Sequence, residues 1–319
     1  MQPAHEEGMT VDGPGASAPA ASNISHARPL EVEEALNRRF VHPMSRALVR
    51  LLIPTGISPN AVSVLGVVMA SLAATAYAAL AWPWNAVTGL VFHIAWHVFD
   101  GADGDLARRT GRSSPNGEIV DGICDHLSHL IIYVVLALIL QRSIGAWAWP
   151  LSAASLASRA MQATGYETIR RNYRRWSYGV NWLRQELPRT AAHEPDSLWR
   201  RFSTPLAAAY LRISKVSSAD DRQIEAAMSR IMSAGGAPAA AARDLYRQRQ
   251  RPMVRRAFWL STNYETLTIF LSLLAGSPVY FLVFQLTVLN LVLAGVVMAQ
   301  RRSYQALLVE LDGLTQAPQ

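Results

Sequence analysis

Two pairs of aspartates lie inside otherwise apolar stretches of the sequence. Asp100 and Asp103 are three residues apart, and Asp121 and Asp125 are four apart. Each pair therefore shares one face if its segment is helical. A carboxylate in an apolar segment is costly to desolvate unless a cation or a metal neutralises it. Two such faces turned toward each other would form an all-oxygen pocket, which suits Mg²⁺, Mn²⁺ or Ca²⁺ better than zinc.

A glycine and an arginine follow the first pair. Gly104 comes directly after Asp103, where a missing side chain would let a ligand approach the backbone. Arg108 lies on the helical face of Asp100, about two turns further along. A guanidinium beside a divalent metal suits a phosphate or a diphosphate, so the cluster predicts phosphoryl transfer. Asp105 is predicted to lie on another face from Asp103 and Arg108, toward solvent or a headgroup.

The full pattern resembles the signature of the CDP-alcohol phosphotransferases, integral membrane proteins that make phospholipids and related phosphodiesters. The pattern reads Asp100-x-x-Asp103-Gly104-x-x-Ala107-Arg108, eight further residues, and Gly117-x-x-x-Asp121-x-x-x-Asp125. The resemblance implies that Asp100, Asp103 and Asp121 bind two divalent metals, Mg²⁺ or Mn²⁺. It also implies that Asp125 lies near the metals and serves as the catalytic base.

The same resemblance implies contacts with the CDP moiety. These contacts would come from small residues and the arginine of the motif, namely Gly104, Ala107, Arg108 and Gly117. Ser58 and Pro59 begin the first apolar stretch, as N-cap and first helical residue. In the family a similar Pro-Asn lies near the nucleotide, so Asn60 is predicted as a further contact.

The reaction implied by the resemblance is attack of an acceptor alcohol on the β-phosphorus of a CDP-alcohol, with release of CMP. Residues 108–118 resemble the loop of choline- and ethanolamine-phosphotransferases, whereas residues 100–108 look more like prokaryotic members that use CDP-diacylglycerol or a CDP-inositol donor. The identity of the donor therefore stays open. Two rival classes also stay open: a polytopic divalent-cation transporter, and a membrane phosphohydrolase that uses water as acceptor. The family further suggests a homodimer.

The whole chain predicts an all-α, polytopic integral membrane protein. Half of its 319 residues are hydrophobic and 17% are charged. Its apolar stretches each come near the roughly 20 residues needed to cross a bilayer. Six transmembrane helices are predicted, near residues 60–82, 84–104, 117–141, 144–168, 257–276 and 278–300. The second and third are the weakest, because their ends carry the acidic motif.

Arginines predict which side of the membrane holds the motif. They gather at alternate connections, for example at Arg108 and Arg109 after the second span and at Arg170 and Arg171 after the fourth. The connections on the opposite side contain one arginine, Arg142. By the positive-inside rule, both termini and the motif face the cytoplasm of what is predicted to be a bacterial inner membrane. The formal net charge of +7 then reflects topology and attraction to membrane lipids rather than nucleic-acid binding.

Composition divides the chain into six parts. They are a disordered tail over 1–30, a juxtamembrane amphipathic helix on the membrane surface over 31–55, four spans with the motif over 56–170, a cytoplasmic helical insertion over 171–256, two spans over 257–302 and a C-terminal tail over 303–319. For 31–55, a helix packed on the core is the alternative. The insertion, with helices expected near 197–214 and 219–234, could cover the active site, bind a partner or be a solvated elaboration.

Polar residues inside the other spans are secondary candidates. Arg159 could bind the phosphate of an acceptor or pair with an acid. Glu265 and Asn263 could contact substrate, although polar residues also join transmembrane helices. His93 and His97 precede the motif on the second span. Packing or interhelical hydrogen bonding is favoured for both over a transition metal, because the ligand set beside them is rich in oxygen.

Overall fold

The computed structural model describes residues 30–179 and 219–316. Within these two ranges the chain is helical and contains no β-strand, which confirms the all-α prediction for them. The predicted disordered tail lies outside the described residues except for Leu30. The helix predicted near 197–214 also lies outside them.

α-Helices account for most of the described residues. In chain order they are α1 His42–Leu52, α2 Pro59–Ala79, α3 Trp84–Arg109, α4 Pro115–Ile144, α5 Ala148–Tyr178, α6 Ala219–Ala234, α7 Gly236–Ala257, α8 Thr262–Leu274, α9 Val279–Leu286 and α10 Val288–Gln316. A π-helical turn, Asn37–Val41, runs directly into α1. Shorter 3₁₀ segments are Leu30–Val32, Ile53–Thr55, Gly145–Trp147 and Phe258–Leu260.

The helices α2 and α4 begin with the same Ser-Pro-Asn sequence. Ser58 and Ser114 are the N-caps, and their hydroxyl oxygens accept hydrogen bonds from the backbone N–H groups of Ala61 and Gly117. A proline follows each cap at the first helical position, where no backbone N–H is needed. The predicted start of α2 at Ser58 and Pro59 is confirmed.

Three segments of the described residues are long and apolar enough to cross a membrane: Pro59–Ala79, Asn116–Tyr178 and Val279–Leu314. The first is α2, the second contains α4 and α5, and the third contains α9 and α10, which are separated at Thr287. Histidines and the motif aspartates make α3 more polar, and α8 has only 13 residues. Three apolar segments indicate a membrane protein, whereas the count of six spans stays a prediction.

The helix α2 packs along both motif helices, α3 and α4, which make few contacts with each other. Small buried residues form much of its surface, among them Gly66, Ala70, Ala73 and Ala74. Such residues let helix backbones approach closely in a membrane bundle. The antiparallel pair that the sequence predicts is therefore assembled on α2 instead of through extensive direct packing.

The close approach of α2 to α3 makes Gly89 a sensitive position. The ring of Tyr77 lies where a Cβ at Gly89 would be, and the Tyr77 hydroxyl is 3.0 Å from His93 Nδ1. Gly89→Ala is therefore expected to displace this ring and to lower the free energy of unfolding by about 1–3 kcal/mol. The measurement is the thermal unfolding midpoint of the purified protein in detergent.

A matched control for this substitution lies on α10. Gly295 has open space where a Cβ would be added, and alanine is the better helix former. Gly295→Ala should leave the midpoint unchanged or raise it slightly. If both variants unfold at the same temperature, the close packing of Tyr77 on Gly89 is contradicted.

The segment before α2 packs on the side of α3. Ser45 Oγ donates a hydrogen bond to the backbone oxygen of Val98 at 2.9 Å, and Val49 is fully buried. This contact agrees with the alternative of a helix packed on the core. The segment also exposes large apolar side chains, namely Leu36, Phe40, Met44 and Leu51. Its location on a membrane surface stays a prediction.

Helices α6 and α7 pack against α5 and α10. Ile224, Met228 and Tyr246 are almost fully buried in this cluster. The helix predicted near 219–234 is confirmed as α6. The role of the predicted insertion stays a prediction. The predicted C-terminal tail is helical as far as Gln316.

Candidate functional site

The four aspartates of the motif lie together where α3 ends and α4 begins. The carboxyl groups of Asp103 and Asp121 lie close enough to interact electrostatically. Asp121 also interacts electrostatically with Asp100 and Asp125. Asp103 is 4% exposed, whereas Asp100 is exposed and Asp125 is partly exposed. The cluster is therefore buried at Asp103, next to α2, and accessible to a ligand at Asp100 and Asp125.

The helix α2 supplies a residue that holds Asp103. Ser63 Oγ donates a hydrogen bond to Asp103 Oδ2 at 2.5 Å, and the backbone N–H of Gly104 donates to Asp103 Oδ1. Ser63 was not among the predicted site residues. The available signal was its position three residues after Asn60, which places both on one face of α2.

The donor chemistry of this cluster fits a hard divalent cation. Neighbouring carboxyl groups need a shared proton or a nearby cation to offset their repulsion. Carboxylate oxygens are the ligands that Mg²⁺ and Mn²⁺ prefer. In residues 30–179 and 219–316, however, no group of three or more acidic, histidine or cysteine side chains converges closely enough to hold a metal. The ligand types therefore fit, but the described arrangement is not a closed coordination site.

Arg108 lies over Gly104 at the end of α3. Its Nη1 atom is 3.3 Å from the position that a Cβ at Gly104 would occupy. Its Nη2 atom is 3.2 Å from Asp105 Oδ1, and Arg109 Nε is 3.3 Å from Asp105 Oδ2. The prediction that Asp105 and Arg108 lie on separate faces is wrong, because residues three apart on a helix are neighbours. A third of the Arg108 side chain (34%) is exposed, so it is accessible to a ligand.

The first turns of α2 and α4 lie next to each other. Asn60 Oδ1 is 3.6 Å from the position of a Cβ at Gly117. The loop between the motif halves is tied down, because Arg112 Nη1 donates to the backbone oxygen of Gly56 and the Arg112 backbone N–H donates to that of Ala107. The structure thus brings Asn60 and Gly117 together at two helix N-termini, which attract anions.

Arg159 and Glu265 form an ion pair inside the bundle. Both side chains are at most 6% exposed, and Arg159 Nε donates to Glu265 Oε2. Arg159 also donates to the backbone oxygen of Leu260 at 3.1 Å and to Thr262 Oγ1 at 2.8 Å. Tyr133 donates to Glu265 Oε1 at 3.0 Å. Of the two alternatives for Arg159, pairing with an acid is present, and contact with an acceptor phosphate would have to disrupt this pair.

His129 connects the buried ion pair to the motif. Its Nδ1 atom is 3.4 Å from Glu265 Oε1, and its Nε2 atom is 3.7 Å from Asp125 Oδ1. The ring is 7% exposed and packs edge-on against Trp96. His129 thus lies between Asp125 and a pair that joins α5 to α8. Its spacing of four residues from Asp125 was the signal in the sequence.

The other polar residues of the spans join helices. His97 Nε2 and Thr266 Oγ1 are 2.7 Å apart, which links α3 to α8, and His93 is bonded to α2 as described above. The predicted interhelical hydrogen bonding of both histidines is confirmed. Asn263 Nδ2 donates to Glu34 Oε2 at 2.8 Å, so it connects α8 to the segment before α1.

Comparison with known proteins adds one finding to this geometry. No curated protein sequence matches the chain. The model of the CDP-alcohol phosphatidyltransferase family matches residues 56–187, a segment that contains α2 to α5 and both halves of the aspartate motif. This match supports the resemblance of the aspartate motif to that family.

Proposed function

We propose that this protein transfers a substituted phosphate group from a CDP-alcohol to an acceptor alcohol and releases CMP, in phospholipid or related phosphodiester biosynthesis. The family match over residues 56–187 supports a membrane transferase of lipid biosynthesis. The observation that carries the proposal is the clustering of the four motif aspartates, in which Asp121 interacts electrostatically with Asp100, Asp103 and Asp125. Such a cluster suits binding of a cation and a diphosphate together.

The diphosphate of the donor is proposed to bind at the N-terminal ends of α2 and α4. Asn60 and Gly117 meet there, and helix N-termini favour anions. Arg108 extends from the end of α3 and can offer its planar guanidinium to phosphate oxygens. Gly104 and Ala107 carry little or no side chain, which leaves space for the nucleotide beside Arg108.

Asp100, Asp103 and Asp121 are proposed to hold two divalent cations, Mg²⁺ or Mn²⁺, with Asp125 nearby. Bound cations of this kind neutralise diphosphate oxygens and stabilise the charge that develops during transfer. Ser63 keeps the buried carboxyl group of Asp103 in a fixed orientation. We expect its removal to weaken cation binding, because partners of metal ligands tune affinity.

Asp125 is proposed as the general base of the transfer step. It would take the hydroxyl proton of the acceptor as the alcohol oxygen forms a bond to the β-phosphorus of the donor. The bond between this phosphorus and the bridging oxygen breaks, and its electron pair leaves with CMP. Arg108 would offset the charge on the departing CMP, while His129 keeps Asp125 connected to Glu265.

The membrane arrangement is proposed to consist of six spans: α2, α3, α4, α5, α8 and the combined pair α9 and α10. The two proposed spans that fall outside the three long apolar segments, α3 and α8, pack against each other, and His97 bonds to Thr266 between them. We further propose a cytoplasmic active site, cytoplasmic termini, a bacterial inner membrane and a homodimer, on the basis of the arginine distribution and the family.

Purified protein incubated with Mg²⁺ and a panel of CDP-alcohols tests the reaction. The panel would include CDP-diacylglycerol, CDP-choline and CDP-ethanolamine, each with its acceptor alcohol, and CMP would be measured. We expect one donor to give CMP only when an acceptor is present, and chelation of the divalent cation to abolish the signal. A cation transporter would release no CMP, and a phosphohydrolase would release it without an acceptor. Either result would contradict the proposal.

A further inference from the structure

A cavity of about 630 Å³ lies between the segment before α1, the end of α7 and the start of α8. None of the motif aspartates lines it. Its wall combines basic and apolar side chains, which include Arg38, Arg251, Arg255, Leu36, Phe258 and Leu267. Acidic side chains contribute as well, so the charge that is available to a ligand depends on which of these groups already have partners.

Two of the acidic side chains are engaged within the protein. Glu34 is buried and accepts hydrogen bonds from the hydroxyl groups of Tyr166 and Ser261, each at 2.7 Å. Glu33 Oε1 lies 3.7 Å from His42 Nε2. Both carboxylates are thus held by other side chains and form no ion pair with Arg38 or Arg255.

Glu31 is the third acidic side chain of the cavity. Burial alone would raise its pKa, but hydrogen bonds from Tyr173 and Tyr178 and the positive charges of Arg251 and Arg247 lower the pKa below its usual value. Glu31 Oε1 lies 3.4 Å from Arg251 Nε. Glu31 and Arg251 therefore offset each other's charge.

The other two arginines of the cavity are available. The side chains of Arg38 and Arg255 make no hydrogen bond or ion pair with any residue in the described part of the chain. Both side chains are exposed. The cavity thus offers two guanidinium groups, a match for the oxygens of a phosphate group.

The apolar rim indicates where this cavity lies relative to the bilayer. Leu36 and Leu267 are 48% and 46% exposed, and Trp259 beside the cavity is 56% exposed. The Trp259 ring lies 4.8 Å from that of Tyr264, a residue of the cavity wall. Tryptophan and tyrosine are enriched where a membrane meets water, so the arginines lie at headgroup level beside surfaces that suit acyl chains.

We propose that this cavity binds the phosphate-bearing headgroup of an anionic membrane lipid. Arg38 and Arg255 bind the phosphate, and the acyl chains of the lipid lie along Leu36 and Leu267. A water-soluble phosphate ester presents the same phosphate but leaves the apolar rim uncovered. The assignment goes beyond the transfer reaction and concerns a cavity that none of the motif aspartates lines.

The test uses the purified full chain in detergent, titrated with phosphatidylglycerol, with bound lipid measured by native mass spectrometry. The site variant is the double substitution Arg38→Gln and Arg255→Gln. The matched control is Arg39→Gln with Arg256→Gln, which removes the same charge one residue further along, outside the cavity wall. We expect the site variant to bind phosphatidylglycerol roughly tenfold or more weakly, and the control to bind like the wild type.

Further comparisons separate specific binding from general attraction. A second double variant, Arg38→Lys with Arg255→Lys, keeps both charges and should bind phosphatidylglycerol more tightly than the glutamine variant. Equal loss in the site and control variants would overturn the proposal, because it would show general surface attraction. Glycerol 3-phosphate that competes as well as the lipid would overturn the lipid assignment. Because the readout is bound lipid, a protein that releases no CMP still tests the cavity.

Discussion

Asp125→Asn should lower CMP release by roughly 10²- to 10⁴-fold, the usual contribution of a general base. Asparagine has almost the same shape as aspartate, but its amide cannot accept the proton of the acceptor hydroxyl. The binding of the CDP-alcohol should stay largely intact, since Asp100, Asp103 and Asp121 are unchanged. Turnover by CMP release and donor affinity by calorimetry, both on one membrane-inserted preparation, check this expectation.

The matched control for Asp125→Asn is Asp244→Asn on α7. It makes the same chemical change at an exposed position that pairs with Arg247, and it should leave CMP release unchanged. If Asp125→Asn inserts normally but no longer binds the donor, Asp125 is a binding residue and its role as the base is contradicted. A normal turnover number would contradict any catalytic role.

The second large effect is expected at the ion pair between Arg159 and Glu265. Arg159→Met should lower the free energy of unfolding by about 3–5 kcal/mol, because it leaves the Glu265 carboxylate buried without its cation. Replacing both residues, with Arg159→Met and Glu265→Leu, should recover much of this loss. Unfolding of all four proteins of the cycle in mixed micelles measures the coupling between the two positions.

Additive effects of the two single substitutions would contradict a tightly coupled pair. The cycle also tests the connection through His129, which touches both Glu265 and Asp125. If the double variant is folded and binds the donor but turns over slowly, the pair also positions Asp125. Normal turnover in that variant would limit its role to the stability of the bundle.

The local parts of the site could be predicted from the sequence because they depend on spacing within one helix. Ser58 and Ser114 define where α2 and α4 begin, so the turns that carry Asp121 and Asp125 follow directly. The oxygen-rich character of the cluster likewise depends only on residue types. One prediction within a single helix was wrong: Asp105 and Arg108 were placed on different faces of α3, but they form an ion pair.

Contacts between distant segments could not be derived in this way. Nothing in the local pattern pairs Arg159 with Glu265 or brings Ser63 to Asp103, because these contacts depend on how α2, α5 and α8 pack. Hydropathy also gives the length of an apolar stretch, but it does not show where the helix within that stretch is interrupted. The separation of α9 from α10 at Thr287 therefore had no signal in the apolar run around it.

The length of α10 has a consequence for helices α6 and α7. Its 29 residues extend for about 44 Å, further than the roughly 30 Å hydrocarbon layer. Tyr304, Leu307 and Leu311 near its end are almost fully buried in the cluster that contains α6 and α7. Excising α6 and α7 would uncover these apolar side chains, so we expect a version of the protein without that pair to be less stable.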